Sequence, residues 1–203
     1  PDGGGDGGFG NPVPPVAYVA NSGSTNVSAY TISAAGALVS AGTVSLAPHT
    51  PSSVAVSPNG TFAFVATNNG IYAFTIDGAT GVLTMVTGSP FSAGTNPNAV
   101  TVSPNGQFLY VANGGGNVSA YTISAGTGVL APLNVLLGNP YPAGSNPNGL
   151  TITPDGQFLY VANGGGTVSA YTITAGKGIL VPLNPGLGNP FPAGTTPNGL
   201  TIT

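Results

Sequence analysis

Chemistry on a protein surface needs side chains that exchange protons, attack carbon or hold a metal. This sequence has few of them. One histidine, His49, lies in LAPHTP; one lysine, Lys177, lies in AGKG; aspartates stand at Asp2, Asp6, Asp77 and Asp155; Arg, Glu and Cys are absent. The other ionisable side chains are the 8 tyrosines. Acid–base hydrolysis draws on several such groups converging, and their contexts here point to turns and loops. His49 stands where equivalent segments carry Thr95, Ser145 and Thr195, so it reads as an exposed loop residue. Lys177 aligns with Thr127 in a hairpin and reads as solvated. Asp77 and Asp155 sit in turn segments, which favour Asp because its side chain bonds the nearby backbone. Asp2 and Asp6, in PDGGGDGG, are too few ligands for calcium. The inventory therefore predicts no catalytic, cofactor-binding or metal-binding residue, and no cofactor.

Stepping outward from those residues, composition narrows the partners. Charged residues make up 2% of the 203-residue chain, against roughly 25% in ordinary domains, and net charge is −3. A nucleic-acid partner requires Lys or Arg to neutralise phosphates, and Lys177 is alone, so none is expected. No apolar run reaches the roughly 18 residues of a spanning helix, and no membrane insertion is expected. Apolar residues reach 41%, enough for a core. The lack of thiols leaves the redox compartment open, and the polar uncharged composition with a first residue other than Met predicts an extracellular or cell-surface location.

The elements that would position any site are repeats. AYVAN, AFVAT, LYVAN and LYVAN recur with their aromatic residues at Tyr18, Phe64, Tyr110 and Tyr160. That spacing, about 46 to 50 residues, is a blade-sized period. Each unit reads as four short strands. The first is SVAVS, AVTVS or GLTIT; a Pro-Asn/Asp-Gly turn follows, at Pro58, Pro104 and Pro154, where Gly accepts the positive φ of a reversing turn. The second is the YVAN segment, the third NVSAYTI or its equivalents, and the fourth begins near Leu38, Leu83, Leu130 and Leu180. Strands apolar on both faces suit sheets stacked face to face. The first unit lacks its opening strand, and Gly199, Leu200, Thr201, Ile202 and Thr203 repeat that strand alone. The fold class expected is all-β: a propeller of four blades of about four antiparallel strands. Residues 199–203 are expected to close it by pairing with the N-terminal blade. Residues 1–15 are expected to be a Gly/Pro-rich leader or linker, and 16–203 the propeller domain.

With YVAN, SPNG, TPDG and VSAYTI in view, the sequence resembles the YVTN-type β-propeller repeats from Val16 to Thr203. In that family a Pro-Asp/Asn-Gly turn precedes a Tyr-Val-x-Asn strand and then a Val-Ser-x-Tyr/Phe strand. The resemblance implies a propeller, surface-layer or other exported relatives, and relatives similar to lactonases. The chain departs from it in charge, in blade number, and at Thr67, which replaces the Asn of Asn21, Asn113 and Asn163.

Two classes of function follow. Low charge and a mean hydropathy of +0.30 favour association, so the main expectation is a non-enzymatic, self-assembling structural protein of a fibre or surface layer. Its partner would be itself, with glycans as a second partner. The alternative is a lactonase-like hydrolase by fold analogy, or a glycan- or peptide-binding adhesion module. Candidate glycosylation sites are the sequons at Asn26, Asn59 and Asn117. Asn, Ser and Thr are so abundant here that three sequons are no more than chance supplies.

Overall fold

The computed structural model describes residues 15–133, 138–183, 186 and 189–203. Asp2, Asp6 and nearly all of the expected leader lie outside them. β-branched and aromatic residues dominate each run, and the runs pair as antiparallel strands. The first sheet holds β1 (Val16–Asn21), β2 (Asn26–Ile32) and β3 (Leu38–Ser45). The second holds β4 (Pro51–Val56), β5 (Phe62–Thr67), β6 (Gly70–Ile76) and β7 (Leu83–Met85). The third holds β8 (Pro97–Val102), β9 (Phe108–Asn113), β10 (Asn117–Ile123), β11 (Leu130–Pro132) and the short β12 (Tyr141–Pro142). The fourth repeats it with β13 (Pro147–Ile152), β14 (Phe158–Asn163), β15 (Thr167–Ile173), β16 (Leu180–Pro182) and β17 (Phe191–Pro192). The architecture is all-β and propeller-like.

Alternation along β5 explains why these strands are apolar on both faces. Phe62, Phe64 and Ala66 pack toward the third sheet, with Val100, Leu109, Val111 and Tyr121. Ala63 and Val65 pack toward the first sheet, with Val27 and Leu46. A third cluster, holding Phe108, Tyr110, Leu159, Val161 and Tyr171, joins the third and fourth sheets. The core is thus a series of layers between blades.

Tyrosine hydroxyls fasten the layers. Tyr18 Oη donates to Gly81 O at 2.8 Å, and Tyr110 Oη donates to Gly178 O at 2.9 Å, each crossing to the next blade. Phe64 fills the same place in the second blade without a hydroxyl. Tyr121 Oη donates to Ser92 O at 2.5 Å, and Tyr171 Oη donates to Pro142 O. Burial disfavours ionisation of these rings and pushes Tyr18, Tyr121 and Tyr171 up to about 12, with Tyr110 raised as well.

Closure by the C-terminal segment is not formed. Residues 199–203 carry no strand, and the sheet of β1, β2 and β3 has three strands. Asn198 O and Gly199 Cα instead lie 2.8 and 3.1 Å from where a Cβ on Gly149 would sit. The segment therefore stacks beside β13. The step between blades is set by the bulky side chains of each layer, and it carries the chain end onward rather than back to β1. Strands β12 and β17 were not expected from the sequence. Each follows a Gly-Asn-Pro segment, and Asn139 shows why: its Oδ1 accepts from Ala120 N, and its Nδ2 donates to Ala120 O and Leu133 O. The side chain stands in for a missing strand neighbour.

Candidate active site

Antiparallel pairing gives the blades two ends. Pro97 pairs with Asn113, and Asn113 with Asn117, so the entry to each innermost strand and the β9–β10-type turn share one end. We call it the loop end. Val102 pairs with Leu109, and Ile123 with Leu130, so the Pro-Asn-Gly turns and the hairpins leading to the outermost strands share the other, the hairpin end.

At the loop end each innermost strand begins with proline: Pro51, Pro97 and Pro147. The residues before the last two, Asn96 and Asn146, are left-handed at φ 54°, and Thr196 before Pro197 is so at φ 49°. A residue preceding proline avoids helical conformations, and positive φ is an outlier for a β-branched side chain. Backbone strain of this kind gathers at functional sites. At Asn96 and Asn146 the adjacent glycine turn holds it. Gly114 N and Gly115 N donate to Asn96 O and Thr95 O at 2.7 and 3.0 Å, and Gly164 N and Gly165 N do the same to Asn146 O and Ser145 O. Residues 114–116 and 143–146 line a depression of about 400 Å³.

The second residue of each innermost strand forms a polar ladder. Asn98 Nδ2 donates to Pro147 O at 2.8 Å and to Asn148 Oδ1 at 3.2 Å; Asn148 Nδ2 donates to Asn198 Oδ1 at 3.3 Å. Ser52 Oγ continues it in the second blade, donating to Pro97 O at 2.7 Å. Gly114 backs onto this ladder: an added Cβ would lie 3.0 Å from Asn98 Nδ2 and 3.2 Å from Asn146 Oδ1.

His49 belongs to the same end. It is half-buried rather than the exposed residue its loop context suggests. Its Nε2 lies 3.4 Å from Asn69 Nδ2, its ring centroid lies 6.0 Å from that of Tyr72, and Thr50 N next to it donates to Asn68 Oδ1 at 2.9 Å. Three residues along the chain stands Ser52 of the ladder. Among the described residues, the charged side chains all sit at the hairpin end. Asp77 accepts from Ala79 N and Thr80 N, Asp155 accepts from Gln157 N, and Lys177 is exposed in its hairpin. These turn hydrogen bonds, led by the Thr80 and Thr153 hydroxyls, hold both carboxyls below their ordinary range. Depressions of about 410 and 580 Å³ also lie at this end, the first flanked by Asp155 and Phe108, the second by Val16 and Asn59. Asp155 and Asn59 are engaged there in turn hydrogen bonds. Among the described residues no three His, Cys, Asp or Glu come together as a metal site.

The sequons differ in setting. Asn59 is exposed, and its Oδ1 accepts from Ser57 Oγ and Thr61 N. Asn26 and Asn117 are half-buried at strand starts, and their Oδ1 atoms accept from Asn21 Nδ2 and Asn113 Nδ2 at 2.8 Å. This bridge is why Asn ends the Tyr-Val-Ala-Asn strand. Thr67 replaces it with a shorter link, donating to Gly70 O at 2.9 Å. The polar ladder and the left-handed residues escaped the sequence reading. The repeated Asn-Pro-Asn of 96–98 and 146–148 was the signal that could have found them.

Stacked sheets of antiparallel strands define a propeller-like, all-β protein. The model of the lactonase family, described as "Lactonase, 7-bladed beta-propeller", matches residues 11–143, and the chain belongs to that family. Among solved structures it is similar to a Bacteroides fragilis protein assigned as a 6-phosphogluconolactonase, at 19% identity and TM-score 0.74, covering 92% of this chain and 57% of that one. It is similar to a periplasmic gluconolactonase of Pseudomonas aeruginosa at 22% identity and TM-score 0.64, covering 82% and 52%. A Lactobacillus plantarum protein matches at 23% identity and TM-score 0.68, covering 83% and 53%. The chain thus spans about half the length of the solved structures it matches. No curated protein matches it.

Family membership corrects the expectation of a non-enzymatic structural protein that assembles into filaments or layers. That expectation rested on the scarcity of charged groups.

Proposed function

We propose that this chain is a lactonase-like hydrolase that opens a sugar lactone at its loop end. The observation that carries the reading is the family match over residues 11–143. The loop end supports it: strained backbone at Asn96, Asn146 and Thr196, the Asn98–Asn148–Asn198 amides, and the sole histidine. In this reading His49 is the general base, the commonest role of imidazole in catalysis. It takes a proton from water as the water oxygen adds to the acyl carbon. The ring C–O bond then breaks, the ring oxygen receives the proton, and the hydroxy acid ionises with release of one proton. The amide protons that the ladder leaves unused, on Asn148 and Asn198, donate to the oxyanion that forms between these steps. Sugar lactones are the substrate class because the Bacteroides and Pseudomonas proteins are a 6-phosphogluconolactonase and a gluconolactonase by name.

The blade units are of the YVTN type in this proposal, and they form part of a seven-bladed ring. An exported location accompanies it, with Asn59 as the sequon best disposed to carry a glycan.

Proton release from glucono-δ-lactone, followed in a pH-stat, tests the reading. The protein should accelerate ring opening well beyond the spontaneous rate. His49→Ala should lower kcat/KM by about 10²- to 10⁴-fold with little change in Tm. No acceleration, or full activity in His49→Ala, overturns it.

A further inference from the structure

The three-glycine turns at the loop end resemble phosphate-cradling loops, whose free N–H groups point at an anion. Here each N–H is already spent. Gly114 N, Gly115 N and Gly116 N donate to Asn96 O, Thr95 O and Asn113 O at 2.7, 3.0 and 3.0 Å. Gly164 N, Gly165 N and Gly166 N donate to Asn146 O, Ser145 O and Asn163 O at 2.7, 3.0 and 2.9 Å. The glycines serve close approach: a Cβ on Gly164 would lie 2.8 and 2.9 Å from the Nδ2 atoms of Asn146 and Asn148. Phosphate is otherwise held by Arg or Lys. The sequence has no Arg, and its one Lys, Lys177, sits at the hairpin end in the turn where Gly178 N bonds Thr174 O.

What the loop end does offer is neutral and two-handed. An amide carries two donors and an oxygen with two lone pairs. Asn98 uses its Nδ2 within the ladder, and its Oδ1 accepts nothing from the described residues. Ser52 Oγ, whose proton goes to Pro97 O, adds an acceptor, and the exposed Asn198 amide adds unused donors. Such a row suits the alternating donor and acceptor hydroxyls of a polyol.

From this we infer that the loop end selects an uncharged polyhydroxylated lactone and discriminates against the same lactone carrying a phosphate, with Asn98 and Asn148 as specificity-determining residues. The inference rests on the lactonase reading and narrows its substrate.

Calorimetric titration with glucono-δ-lactam and its 6-phosphate tests it, since an amide ring is not opened and binding is read without turnover. The neutral lactam should bind, and the phosphorylated one at least tenfold more weakly. Asn98→Ala and Asn148→Ala should each weaken lactam binding at least fivefold, and Lys177→Ala should leave both affinities unchanged. Equal or tighter binding of the phosphorylated lactam overturns the inference, as does failure of the neutral lactam to bind. If a ladder variant does not fold, the wild-type ratio alone decides. Lactam binding without lactone hydrolysis leaves this inference standing and removes the lactonase reading. Hydrolysis with a preference for the phosphorylated lactone does the reverse.

Discussion

The two ends of the blades are built from the same repeat yet manage their polar groups in opposite ways. At the hairpin end the turns follow ordinary rules: glycine takes the positive φ at Gly60, Gly106 and Gly156, and Ser57, Ser103 and Thr153 close the turn by accepting from Phe62 N, Phe108 N and Phe158 N. Charge is tolerated there because it is solvated. At the loop end non-glycine residues take the positive φ at Asn96, Asn146 and Thr196, and amides reach from blade to blade. One end is relaxed and interchangeable with turns in any β protein. The other holds strain that its neighbours support, at the end where the proposed site lies.

The largest effect expected falls on both ends together. Tyr18 and Tyr110 tie blades near the hairpin end, and Tyr121 and Tyr171 near the loop end. With Tyr121 and Tyr171 raised to about 12, the unfolded chain ionises first as pH climbs past its ordinary value of about 10. The stabilisation is complete below pH 10 and is lost as pH rises toward 12. At about 1.4 kcal/mol per unit, those two rings together account for roughly 5 kcal/mol. Thermal melts from pH 8 to 12 should show a steep fall in Tm, delayed in Tyr121→Phe/Tyr171→Phe relative to its own value at pH 8. A flat profile would mean the hydroxyls are open to solvent.

Next comes a pair of glycines that sharpens the contrast. At the hairpin end Gly178 has φ +66°, and a Cβ there would lie 2.3 Å from Phe108 Cδ1. Gly178→Ala combines left-handed strain with overpacking and should cost about 3 kcal/mol in urea unfolding. At the loop end Gly114→Ala meets only side-chain atoms of Asn98, Asn146 and Asn96, at 3.0 to 3.2 Å. It should cost about 1 kcal/mol or less while displacing the ladder and reducing lactone turnover. Equal losses of stability would erase the distinction between the ends.

The smallest effect belongs to the hairpin-end carboxylates. Asp77 and Asp155 are held below their ordinary range by turn hydrogen bonds. Their contribution is present above that range and lost as pH falls through it. Both are exposed, so Asp77→Asn and Asp155→Asn should flatten only slightly the decline of Tm below pH 5. A large change in either variant would give the hairpin end a role it lacks here.

The strands and turns were readable because each is a local decision. Tyr110-Val111-Ala112-Asn113 alternates by position, and Pro104-Asn105-Gly106 reverses the chain wherever it occurs. Two-faced apolarity in β5 and β9 foretold stacked sheets for the same reason. The half-burial of His49 was not legible because its cover comes from Asn69, in the β5–β6 turn, and Tyr72, in β6, some twenty residues on. The Asn98–Asn148 contact spans 50 residues and depends on the step between blades.

By itself the sequence determined that this is a repeating, all-β chain with blade-sized units, since β-branched and aromatic runs and proline–glycine turns act over a few residues. Only the tertiary structure decided which end is strained, where the lone histidine and the amides sit, and that residues 199–203 stack onward beside Gly149 instead of pairing with β1. Those outcomes follow from how bulky side chains set the angle between neighbouring sheets. That angle is a property of the packed layers, and no single repeat contains it.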